Sequence, residues 1–183
     1  GLLAVNPNPR QSIAHAQADF TQVAKSSLPS SDYVIYIDFD GETITSPDWN
    51  DGNTIDAEPH PQANNESWVT SVWKRVAEDF APFNINVTTD RAVYNSTDVT
   101  KRVICVVTPT FEWYGRVYGR VGGVAWLNTF GDGVPCWTFN QPEFSCADTI
   151  SHEVGHTLGL IHDGASDGAY YSGHGTGETA WGP

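Results

Sequence analysis

The stretch "SHEVGHTLGLIHDG" holds three of the chain's six histidines, His152, His156 and His162, at a spacing that suits one metal ion. Residues i and i+4 of an α-helix share a face, so His152 and His156 can reach the same ion. Glu153 lies beside them without joining them, which suits a general base acting on water at that ion. At about 100° per residue, a continued helix would carry position 162 roughly 120° round from His156, away from the metal. Gly159 offers the way back, because a left-handed glycine turns the chain sharply and can return His162 from a loop. Three neutral imidazoles would leave zinc a fourth position open, as in catalytic rather than structural sites. The plainer alternative is a surface helix that happens to carry histidines. A bare HExxH does arise by accident, but each fixed position of HExxHxxGxxH has its own geometric job, and the longer pattern favours zinc.

A second stretch also has the look of chemistry. "YVIYIDFDGET" (33–43) runs through β-branched and aromatic residues to Asp38 and Asp40. The phosphatases of the haloacid-dehalogenase type present a nucleophilic aspartate in this way. That pattern wants Thr or Val four residues after the first Asp, where this chain has Glu42. It also wants a downstream lysine and an acidic pair for Mg²⁺, and Lys25, Lys74 and Lys101 precede no such pair. The stretch therefore reads as a scaffold strand with Asp38 and Asp40 on one side of it. Such a carboxylate pair needs a cation, backbone N–H groups or water, which makes the two residues a candidate calcium site. The following loop, "DGETITSPDWNDGNTID", is rich in oxygen donors too, but it lacks the EF-hand spacing and reads as solvated acids.

The elements that would position these residues follow from periodicity. Strands are expected at 33–39, 83–89, 101–110 and 121–130, with "PCWTFN" as a fifth. Helical spacing runs through Trp68, Val72, Val76 and Phe80, with Asn64 or Asn65 to cap it and Pro82 to stop it. "EFSCADTISHEVGHTLGL" is the second helix, ended by Gly159. The order of elements predicts an α/β sheet with a backing helix. Ile13, Ala16, Phe20, Val23 and Ala24 also fall at helical spacing, so residues 1–31 read as an N-terminal extension or prosegment remnant with a short docked helix. Residues 41–63 read as a long loop, and the Gly-rich 164–183 as another. His174 within it is more simply a loop histidine than a further ligand.

Composition bounds the rest. One domain of 183 residues with 39% hydrophobic and 12% aromatic residues can bury a sizeable core. A net charge of −13, from 9 Lys+Arg against 22 Asp+Glu, opposes nucleic acid and anionic membrane surfaces as partners. No apolar run is long enough to cross a membrane. The chain opens on Gly1 without a leader, which reads as processing. Its acidic, lysine-poor, tryptophan-rich character suits secretion. Of the three cysteines, Cys105 reads as a buried thiol, whereas Cys136 and Cys146 bracket a nine-residue stretch that a disulfide could close.

With these residues set out, "HEVGHTLGLIHDG" resembles the zinc-site motif of the metzincin metallopeptidases, and Asp163 after the third histidine is similar to their reprolysin (adamalysin-like) branch. Together with "VIYIDFDG" and "WKRVAEDFAPFNINVTTD" it resembles secreted bacterial metzincin-like proteins over roughly residues 33–181. The resemblance implies a twisted sheet with an active-site helix beneath it and a cleft that takes an extended protein or peptide substrate along an edge strand. "GGVAWLN", with Gly123, Val124, Ala125 and Trp126, would be that edge. It implies a structural role for Asp163, tying the active-site loop to the chain below. It also implies a methionine turn after the third histidine. This chain has no methionine, so a catalytic domain over 32–183 is expected to stop before that turn, its lower subdomain largely missing or supplied by a second polypeptide. Two functions follow: an extracellular zinc endopeptidase, or a zinc-bound but inactive protease-like module serving adhesion or assembly.

Overall fold

The computed structural model describes residues 4–5, 14–17 and 23–162. In chain order the elements are β1 (Ala4–Val5), β2 (Ala14–Gln17), β3 (Val34–Asp38), β4 (Glu42–Thr45), β5 (Ile55–Ala57), α1 (Glu66–Asp79), β6 (Asn86–Thr88), α2 (Arg91–Ser96), β7 (Arg102–Val107), α3 (Glu112–Tyr118), β8 (Gly123–Val124), β9 (Trp126–Leu127), β10 (Cys136–Thr138) and α4 (Glu143–Thr157). Five of the strands form one sheet in the order β6-β3-β7-β10-β8. The first four are mutually parallel and β8 closes one edge antiparallel to β10, with Val124 opposite Trp137 and Gly123 opposite Thr138. This is an α/β fold with a mostly parallel sheet.

Parallel strands are covered on both faces and so read as unbroken apolar runs. "VIYID" of β3 is buried at every position. Because alternate side chains point to opposite faces, β3 feeds two cores. Ile35 and Ile37 meet Val69, Val72 and Val76 of α1 and Ile150 and Val154 of α4 on one face. Val34 and Tyr36 meet Ile44, Ile55, Tyr94, Tyr114, Trp49 and Trp137 on the other. Helix α1 starts where the Asn65 side chain accepts the Trp68 N–H at 3.3 Å.

Several expectations are corrected. Residues 14–17 are not helical: β2 pairs antiparallel with β4, Ala14 opposite Thr45. The span 41–63 is not a featureless loop, because β4 and β5 form a hairpin, joined through Asn50 and Asp51 in the left-handed region and Gly52 at φ +80. The strand expected at 121–130 is broken into β8 and β9. His60, although its neighbours in sequence are polar or proline, is 2% exposed and stacked on Trp68 at 4.4 Å. Lys25–Ser31 run along β6, where the Ser27 N–H donates to the Val87 carbonyl and the Leu28 N–H to Asn86 Oδ1, each at 3.0 Å. The Cys136–Cys146 disulfide is absent. All three cysteines are free and buried, Cys136 directing its thiol at the Ile104 carbonyl 3.6 Å away across the sheet while Cys146 sits in helix α4.

Candidate metal centre

Helix α4 carries His152 and His156 one turn apart. It ends at Leu158, and Gly159 then takes φ +94, a conformation that glycine adopts freely and other residues resist. Beyond that turn His162 comes back over the helix. The three Nε2 atoms form a small triangle: His152–His156 2.9 Å, His152–His162 3.0 Å and His156–His162 3.2 Å. A tetrahedral ion with bonds of roughly 2.0–2.1 Å holds its ligand nitrogens about 3.3 Å apart, so the triangle has the size of a three-imidazole metal site. Its protonation agrees. His156 Nδ1 donates to the Leu160 carbonyl at 2.7 Å, which leaves Nε2 of the neutral ring as a lone pair facing two other imidazole nitrogens. Burial lowers the pKa of all three rings, His152 to about 4 with the charges of His156 and His162 adding to it, so all are neutral near pH 7. Neutral imidazole is the form that ligates. Among the described residues, this is the one group of histidines, cysteines or acids with donor atoms all within 4.8 Å of one another. The three histidines could therefore hold one metal ion.

Glu153, on the same helix, packs its Cγ close to Gly123 at the edge of the sheet. It is 2% exposed, and its Oε2 has no hydrogen-bond partner. Burial pushes its carboxyl up to about 8, and a dication at the histidines would favour the ionised form. What lets helix α4 come so close is Gly123 of β8: a Cβ there would stand 2.7 Å from Glu153 Cγ and 2.7 Å from Thr149 Cγ2. Thr149 is in turn held by Asn140, whose amide donates to its hydroxyl at 2.7 Å. Gly123, Val124 and Ala125 are buried and Trp126 is half-buried, its indole N–H donating to the Asp48 carbonyl at 3.0 Å. Past Ala125 the edge continues as β9, where Ala4–Val5 add in parallel to Trp126–Leu127.

Asp38 and Asp40 lie elsewhere, on the far side of β3 from α4. Both are buried, at 0% and 1% exposure, which rules out Asp38 as a nucleophile that a solvent-borne substrate can reach. A positive charge beside Asp38 comes from a side chain. Arg91 of α2 pairs with Asp38 at 3.4 Å and, more closely, with Glu42, while the Asp40 N–H donates to Asp38 Oδ1 at 3.0 Å. Burial, assisted by Asp40, raises the Asp38 carboxyl well above the usual range, and burial pushes Glu42 up to about 7 against the opposing pull of Arg91. The guanidinium thus supplies a positive charge to Asp38 and Glu42, while Asp40 Oδ1 has no hydrogen-bond partner.

Sequence reasoning missed Arg91, Thr149, Asn140 and Asn128. Arg91 had a signal, as one of only nine basic residues and the first residue of a helix capped by Asp90. Asn128 had another, since asparagine just after a strand commonly marks a left-handed turn. Asp163 and His174 lie outside the described residues, as does the segment expected to precede a methionine turn. Comparison with known proteins returns no matching family model, no matching characterised protein and no matching solved structure.

Proposed function

We propose that this chain is a zinc-dependent endopeptidase that cleaves extracellular proteins or peptides, built on a metzincin-like plan. The observation that carries the reading is the convergence of three imidazole Nε2 atoms within 2.9–3.2 Å beside a buried carboxylate on the same helix. His152, His156 and His162 would hold the zinc. When bound there, zinc supplies Lewis acidity, polarising a carbonyl and making water a better nucleophile near neutral pH.

The remaining roles belong to the chain. Glu153 Oε2, free of hydrogen bonds, accepts a proton from the attacking water and returns it to the departing amide nitrogen. Leu160, through its carbonyl, keeps His156 in the tautomer that ligates. Strand β8 offers its outer edge to an extended peptide, which would add to the sheet by main-chain hydrogen bonds. That Ala4–Val5 already add to the neighbouring β9 supports an edge able to take an extended chain. Gly123 keeps the backbone of this edge within reach of Glu153.

The test is zinc content by elemental analysis alongside cleavage of casein and of a quenched-fluorescence peptide library. The native chain, Glu153→Gln and His156→Ala are compared. The native chain is expected to hold one zinc and to cleave. Glu153→Gln is expected to keep the zinc and lose activity by a factor on the order of 10² or more. His156→Ala is expected to lose both. A native chain that holds zinc but cleaves nothing would replace the enzyme with an inactive, zinc-bound module of adhesion or assembly.

A further inference from the structure

Asn128 stands where the edge strand stops, with φ +60. Asparagine tolerates that left-handed region better than most residues, and a β-branched side chain resists it. The turn aims two main-chain donors at the end of α4. The Asn128 N–H reaches the His156 carbonyl at 3.1 Å, and the Phe130 N–H reaches the Thr157 carbonyl at 3.0 Å. Carbonyls in the last turn of a helix have no partner within it, so these bonds fix how the helix finishes. The side chain acts on the next segment. Asn128 Oδ1 lies 2.3 Å from where a Cβ would stand on Gly159, so the carboxamide packs directly on that glycine's Cα.

Gly159 is the residue that redirects the chain. Its N–H returns to the His156 carbonyl at 2.9 Å, and the Leu160 N–H to the Gly155 carbonyl at 3.0 Å. The Leu160 carbonyl then receives the proton of His156 Nδ1 at 2.7 Å. One exposed side chain thus touches the segment that aims His162, while its own backbone holds the carbonyl of His156. It does so from just past β9, five residues after the Gly123 of β8 that packs against Glu153.

We infer that Asn128 is a positioning residue of the metal centre, clamping the turn at Gly159 so that His156 and His162 meet at one point. The inference rests on reading the three histidines as a metal site. It assigns to Asn128 no contact with the ion or with substrate.

The test measures zinc affinity by competition with a chromogenic chelator, and the visible spectrum of the cobalt-substituted chain, which reports ligand geometry. Asn128→Val removes the carboxamide and resists φ +60. It is expected to weaken zinc binding by about 10-fold or more, as outer-shell changes at metal sites do, and to alter the cobalt spectrum. Asn128→Asp keeps both the tolerance of that φ and a side-chain oxygen, so it is expected to restore the native affinity and spectrum. Should Asn128→Val fail to give a native circular dichroism spectrum, Asn128→Ala takes its place, with the same expectation. Native affinity and an unchanged cobalt spectrum in the Val or Ala variant would overturn the role, as would an Asp variant no better than Val. If the native chain and His156→Ala bind zinc equally, it is the metal site itself that fails, and the two failures are told apart.

Discussion

Gly123→Ala is a one-methyl change at the place where sheet and helix come closest. Its Cβ would stand 2.5 Å from the Trp137 carbonyl oxygen, 2.7 Å from Glu153 Cγ and 2.7 Å from Thr149 Cγ2. Ordinary contacts between such atoms lie near 3.5–4.0 Å, so about 1 Å must be opened against all three at once. The Trp137 carbonyl belongs to β10, which is hydrogen-bonded between β7 and β8, and it has little freedom to yield. Glu153 and Thr149 both ride on α4, so moving them means moving a helix that packs against α1 and the sheet. The weakest restraint is the two-residue pairing of β8 itself. Overpacking of this kind costs typically about 1–3 kcal/mol. At about 2 kcal/mol the melting temperature of a chain this long falls by roughly 4–8 °C. On the proposed peptidase reading, a displacement of Glu153 by about 1 Å is expected to lower cleavage on the order of 10²-fold. Metal content stays native, since none of the three crowded atoms belongs to a histidine. Calorimetry, zinc analysis and peptide cleavage on the one variant read all three quantities. A variant that melts within about 1 °C of the native chain and cleaves at the native rate would refute the tight apposition of α4 on β8.

Two further outcomes concern the opposite face and the cores. The Glu42 carboxyl, pushed by burial to about 7 from its ordinary 4.5, makes the folded chain bind more protons than the unfolded one between those pH values. Its contribution to stability is therefore full below about pH 4.5 and lost as pH rises through 7, by up to about 3 kcal/mol. Urea unfolding at pH 4.5 and pH 8 should show the native chain losing stability relative to Glu42→Gln as pH rises, because only the native residue titrates; a relative stability that does not change would mean that Arg91 keeps Glu42 ionised throughout. The second outcome is a thiol count. Without reductant, the folded chain is expected to show no thiol reactive with Ellman's reagent and the denatured chain three, whereas one thiol after denaturation would restore the Cys136–Cys146 bridge.

What could be read from the sequence depended on how far apart the interacting residues lie. The histidine triangle was legible because two of its members share a helix face and the third follows six positions later past a glycine, all within eleven positions. Helix α1 and strands β3 and β7 were legible for the same reason, since their periods are set by residues close in sequence. Residues 14–17 misled, because apolar residues three and four apart were taken for a helix face while β4 offered backbone partners that no local pattern announces. The hairpin β4–β5 was hidden by the Gly, Asn, Asp and Pro of its own connections. Long-range partners were invisible. Arg91 meets Asp38 across 53 positions, Gly123 meets Glu153 across the width of the sheet edge, and Asn128 meets Gly159 only after the chain has passed through β10 and α4. The need of Asp38 and Asp40 for a positive charge was legible, and its source was not.

Trp126 gives the edge strand an optical property. Its ring lies 5.5 Å from Trp49, which is 5.7 Å from Trp113 and 6.4 Å from Trp137, with Trp113 and Trp137 4.9 Å apart. Four of the chain's seven indoles are thus close enough to exchange excitation energy and to couple as chiral oscillators. The one at the rim is tethered to Asp48 through its N–H. If an extended peptide adds to the neighbouring edge as proposed, the surroundings of that outermost ring change, and the coupled set turns this into a shift in near-ultraviolet dichroism and emission. The four indoles would then report occupancy of that edge without a label and without any bond being cleaved.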